Sequence, residues 1–191
     1  LSALNDTLLS LSKLYSTLQS SSTDLGDSTR VTECTQTDLD ALSRQLFSLM
    51  HHKKQKIRHA SCSLVEIMAK NSPVEVQSLM DSAVFTALLP FLLTEDLVMQ
   101  KIALSAFHNT LIHGTSAQRG YIIKEIHLLP TVVTLISHSD HKVIMSALDC
   151  VLLILQYFEA IGPDELLSAC KEFRDLSGVQ LLENLQQHSL M

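Results

Sequence analysis

The chain has 191 residues, 46% apolar and 18% charged, enough for one core or one elongated stack of repeats and too apolar for a disordered chain. Its 14 Lys plus Arg stand against 20 Asp plus Glu, a net charge of −6, so no overall positive field draws it to nucleic acid or anionic lipid. Five glycines, four prolines and no Trp, set against abundant Leu, argue against a turn-rich β-sandwich and predict an all-α fold.

Residues 1–19 place Leu4, Leu8, Leu11, Tyr15 and Leu18 at steps of three and four, which puts them on one face of a helix. Such a helix needs a partner surface, either on the repeats described below or within a preceding repeat. Residues 20–37 turn to Ser, Thr, Asp and Gly and are expected to be a flexible polar linker. Thr37, followed by Asp38, Leu39 and Asp40, offers a side-chain oxygen to the free amides of a new helix, so packed structure is expected over 38–191.

From there the sequence repeats. Ile57, Met99 and Val143 stand 42 and 44 residues apart, and the register holds on both sides of them. Leu46, Leu88 and Val132 align upstream, as do Leu49, Phe91 and Leu135; Ser61, Ala103 and Ala147, then Val65, Phe107 and Val151, align downstream. Each unit reads as a short helix, a second helix, a polar turn and a longer third helix. Pro90 falls inside a proposed second helix, where its missing donor and ring clash predict a break or a later start. A fourth, partial unit begins near Leu176, with Leu182 and Leu185 in the columns of Leu88 and Phe91.

A period near 42 residues with three helices fits armadillo repeats, stacked into a right-handed α-solenoid whose third helices line a shared groove. About three repeats and a partial terminal one are expected. Over residues 39–191 the chain resembles the C-terminal half of importin-α. The stretch Ile57 to Phe85, IRHASCSLVEIMAKNSPVEVQSLMDSAVF, follows a family repeat without a gap, and LENLQQHS at Leu182 to Ser189 is similar to the family's closing segment. The resemblance implies a non-catalytic adaptor, nuclear or cytoplasmic, whose third helices present Trp and, four residues on, Asn to a bound peptide.

Here the Trp positions carry Ser63, Ser105 and Asp149, and the Asn positions carry Ile67, Asn109 and Leu153. These six residues are the candidate groove. Without Trp shelves and with one Asn left, the floor suits a less basic ligand than a nuclear localisation signal. The expected function is an adaptor that recognises an extended segment or helix of a partner protein, with a link to nuclear transport. The alternative is an armadillo scaffold in chromosome, meiotic or cytoskeletal assembly without import activity.

Other constellations read as structural. The run His51 to His59 is the one local basic cluster, but it spans a turn and lacks an aromatic platform, so nucleic acid is not the expected partner. His138, Asp140 and His141 share a turn; Asp140 falls in the column of Asp96 at a helix start, so capping explains it and no metal or other cofactor is expected. His59 and Cys62 lie three apart without an orienting group, and no enzyme is expected. Cys34, Cys62, Cys150 and Cys170 form no CxxC pair, which suits free thiols inside the cell. Thr35, Gln36 and Thr37 resemble the core of peptides that bind dynein light chain by adding a strand to a sheet edge. No unbroken apolar run approaches the roughly 18–20 residues of a membrane span, so no membrane association is expected.

Overall fold

The computed structural model describes residues 36–94 and 96–188, and every regular element among them is helical. In chain order these are α1 (Gln36–Met50), α2 (Gln55–Asn71), α3 (Pro73–Asp81), α4 (Val84–Leu88) running into a 3-10 turn (Leu89–Leu93), and α5 (Leu97–His113). There follow α6 (Ser116–Gly120) running into a π turn (Tyr121–Glu125), α7 (Leu128–Leu135), α8 (His141–Ile161), α9 (Pro163–Asp175) and α10 (Gly178–His188). Two complete triplets, α3 to α5 and α6 to α8, stand between α1 with α2 on one side and α9 with α10 on the other. Residues 1–19, the greater part of the 20–37 segment, and Thr35 of the linear motif lie outside the described residues.

The apolar columns found in the sequence are the packing layers. Leu46, Leu88 and Val132 of the second helices have no exposed surface, and Ile57, Met99 and Val143 of the third helices are all buried. Ser61, Ala103 and Ala147 are buried where α2, α5 and α8 pack side by side; small residues there let neighbouring helices approach closely. One continuous apolar core runs from Leu46 to Phe173 through all units.

Local chemistry fixes the ends of the elements. Ser72 accepts the amide of Glu75 with Pro73 in the first turn of α3, and Thr115 forms a capping box with Gln118 at α6. Gln118 reaches further, donating from Nε2 to the Pro73 carbonyl at 2.7 Å, and so ties the first helix of one triplet to that of the preceding one. Pro90 is where α4 gives way to the 3-10 turn, as its missing donor requires. The turns between first and second helices are sharper than the sequence announces: Ala83, His127 and Ser177 all have positive φ, at 55°, 55° and 62°.

Two expectations are corrected. Gln36 and Thr37 are helical residues of α1, and Gln36 Nε2 donates to Asp40 Oδ1 one turn on. Thr37 is therefore not the cap, and these two residues lack the extended form that strand addition needs. The second concerns α8, which by length and composition is apolar enough to cross a membrane, because Lys142, Asp149 and Glu159 interrupt the apolar runs without making the helix polar. In this fold its buried face, Val143, Ala147, Cys150, Val151, Ile154 and Phe158, packs into the repeat stack.

Candidate functional site

The third helices α2, α5 and α8 lie side by side, α2 on α5 and α5 on α8. Their starts are tied together by a repeated device. Asp96 caps α5, its Oδ1 accepting the amides of Val98 and Met99 at 3.2 Å each. Its Oδ2 accepts from the preceding helix, from Gln55 Nε2 at 2.8 Å and His59 Nε2 at 2.6 Å. Asp140 does the same one repeat later, capping α8 through Lys142 and Val143 and accepting from Lys101 Nζ at 2.8 Å. His59 and Lys101 occupy one column, 42 residues apart. Donation from Gln55 and His59 pulls the Asp96 carboxyl down to about 2, and donation from Lys101 lowers that of Asp140. Capping by both residues is as the sequence predicts; the bridge to the previous helix is not visible there.

Of the six candidate groove residues, Asp149 and Ile67 are exposed, and Ser63, Ser105, Asn109 and Leu153 are half-buried. They sit in equivalent columns of adjacent helices, but two are already engaged. Ser105 Oγ donates to Glu66 Oε1 at 2.5 Å, and Asn109 Nδ2 donates to the Glu66 carbonyl at 3.3 Å. Asn109, read from sequence as a ligand-facing amide, thus binds α5 to the C-terminal half of α2.

Beside Ser105 a cavity of about 300 Å³ opens between the three helices, lined by Glu66, Lys101, Ile102, Leu104, Lys142, Val143 and Ser146 as well. Sequence reasoning missed Glu66, Lys101, Lys142 and Ser146. The signal was periodicity: Lys101 lies four residues before Ser105, and Ser146 three before Asp149, so each pair shares a helix face. The floor thus combines two lysines, a carboxylate and small hydroxyls.

The remaining constellations are occupied internally. Arg58 Nη1 donates to the carbonyls of His52 and Lys53, closing the basic turn on itself. His138 Nδ1 accepts the Asp140 amide at 2.9 Å, and among the described residues no group of three His, Cys, Asp or Glu could hold a metal ion. Cys62 and Cys150 are buried free thiols whose ionisation burial pushes up to about 12. His59 is turned to Asp96 rather than to Cys62. Among the described residues no buried side-chain polar atom lacks a partner.

The stacked three-helix units define the class: an all-α, armadillo-repeat right-handed solenoid. No family model matches the chain, and no curated protein matches it. Among solved structures, one engineered protein matches with a TM-score of 0.62 at 20% identity, over 78% of this chain and 58% of its own. A designed armadillo repeat protein in complex with the peptide (KR)4 matches at 0.56 and 15% identity, over 80% and 84%. Computationally designed armadillo repeat proteins for modular peptide recognition match at 0.54 and 16% identity, over 83% and 88%. The chain spans 58%, 54% and 36% of the length of three engineered proteins it matches. These likenesses carry the fold and no closer kinship with importin-α.

Proposed function

We propose that the chain is a non-catalytic adaptor that holds an extended segment or helix of a partner protein, inside the cell, along the face shared by α2, α5 and α8. The observation that carries this reading is the cavity of about 300 Å³ between those helices, to which α2, α5 and α8 each contribute side chains and which includes Ser105 of the candidate groove. Its support from outside the chain is the use of designed armadillo proteins in peptide recognition. The exposed Lys142 on the lining, with Lys101 held by Asp140, and the absence of Trp favour a polar or acidic ligand over a Lys- and Arg-rich signal. On that ground we place the protein with adaptors and scaffolds of assembly rather than with carriers of basic nuclear signals.

Binding to arrays of labelled acidic, neutral and basic peptides, followed by fluorescence anisotropy, tests this. Acidic or polar peptides should bind, and Lys142→Glu with Ile67→Glu, both at exposed positions, should weaken them at least about tenfold. Unchanged affinity in that double variant, or preference for basic signals, would refute the groove reading.

A further inference from the structure

The side of α8 that borders the cavity carries two unpaired charges of opposite sign. Lys142, Ser146 and Asp149 follow one another at steps of four and three, so they lie along one face of the helix. Lys142 and Ser146 line the cavity, and Lys142 and Asp149 are exposed. Among the described residues the ion pairs are His59 with Asp96 and Lys101 with Asp140, so no neighbour neutralises either end of this stripe. Asp140, the carboxylate next to Lys142 in sequence, is engaged by the amides of Lys142 and Val143 and by Lys101 Nζ.

The preceding repeat differs at the same columns. On α5 the counterparts of Lys142 and Ser146 are the apolar Val98 and Ile102, and the counterpart of Asp149 is Ser105, which donates to Glu66 Oε1. Glu66 and Ser105 thereby close the contact between α2 and α5. One repeat on, those two columns carry His108 and Asp149, and no ion pair joins them among the described residues. The bond to Ser105 also sets the Glu66 carboxylate at the level that Asp149 holds on α8, so the two acids mark the same depth of the groove.

The site therefore has a polarity. Its positive end is at the start of α8, and its negative end is seven positions on, a rise of about 10 Å. A segment rich only in Lys and Arg meets Lys142, and a purely acidic segment or a phosphate backbone meets Asp149 and Glu66, so each is opposed at one end. A free amino acid, with both charges on groups bonded to one carbon, is too short to serve both. We propose that the occupant is a mixed-charge segment of a partner protein, with an Asp or Glu side chain against Lys142 and Ser146 and a Lys or Arg side chain against Asp149 and Glu66. In an extended chain the two are about three residues apart. This rests on the groove reading above and narrows it from polar or acidic ligands to those that carry both signs. Ion pairs at exposed side chains add little affinity each; their effect here is to select the segment and fix its orientation.

Fluorescence anisotropy with short labelled peptides carrying Glu-x-x-Lys, Lys-x-x-Glu, Glu-x-x-Glu or Lys-x-x-Lys in otherwise identical uncharged backgrounds tests the proposal. At least one mixed order should bind the parent chain about fivefold more tightly than either single-sign peptide. Lys142→Glu should weaken that mixed peptide about fivefold and bring the Lys-x-x-Lys peptide up to parent-like affinity, while Asp149→Lys should do the same for Glu-x-x-Glu. Peptides that bind, and lose affinity in the Lys142→Glu with Ile67→Glu variant, but whose binding ignores the sign of their charges would overturn this inference and leave the groove reading in place. So would losses in Lys142→Glu and Asp149→Lys that the exchanged peptides do not restore. Absence of binding by every peptide would overturn both readings. A dimer of the chain that dissociates in Lys142→Glu would assign the site to a second copy and overturn the foreign segment.

Discussion

Replacing Asp96 by Ala removes two functions at one carboxylate. The cap on the Val98 and Met99 amides is worth about 1 kcal/mol, and the hydrogen bonds from Gln55 and His59, both on another helix, contribute about 1 kcal/mol together at a partly exposed site. The expected loss is about 2 kcal/mol at pH 7. A second route gives a similar figure: a carboxyl held at about 2 in the fold, from an ordinary value of 3.8, corresponds to roughly 2 kcal/mol before solvent screening lowers it. Because the folded value is the depressed one, this stabilisation is complete above pH 4 and is lost as pH falls through about 2. Urea unfolding followed by circular dichroism at 222 nm should show the parent and Asp96→Ala well separated at pH 7, converging as the pH approaches 2. Coincident curves at pH 7 would refute the double role; a separation that persists undiminished at pH 2 would refute its electrostatic origin.

Ala83→Gly and Ser177→Gly should each stabilise the fold by about 0.5–1 kcal/mol, since both exposed residues hold a positive φ that costs a side chain about 1–2 kcal/mol, partly offset by the added freedom of glycine when unfolded; a raised midpoint of thermal melting checks this. Val151→Asp should destabilise by several kcal/mol, because the side chain is buried between layers and the carboxylate would have no partner; an unchanged melting curve would overturn the packing register. Maleimide labelling read by peptide mass spectrometry should modify the half-buried Cys170 in the native protein and reach Cys62 and Cys150 only under denaturing conditions, as their burial and raised ionisation require.

The third helices were legible because their apolar columns recur every 42 to 44 residues and because Asp96 and Asp140 start them with strong caps. Pro90 likewise announces a local change of helix type. The turns at Ala83, His127 and Ser177 were hidden, since none carries the glycine that ordinarily signals a positive φ. The bonds from His59, Lys101 and Gln118 were hidden for another reason: each joins residues 37 to 45 positions apart, and helix periodicity says which face a side chain occupies but not which neighbour it finds. Asn109 shows the cost of that limit, because a position read as free for ligand is bound to the Glu66 carbonyl. The length of α8 was missed because unbroken apolar runs understate a helix in which single charges interrupt long apolar stretches.

The doubled use of Asp96 and Asp140 also bears on how the molecule comes apart. In a quasi-one-dimensional array, each module can in principle melt by itself, but a carboxylate shared between the start of one helix and the body of the preceding one makes fraying at either place weaken the other. Opening therefore propagates across the α2, α5 and α8 boundary as one cooperative event. The chain of shared carboxylates joins third helices alone and stops at Met145, where the donor column carries an apolar side chain.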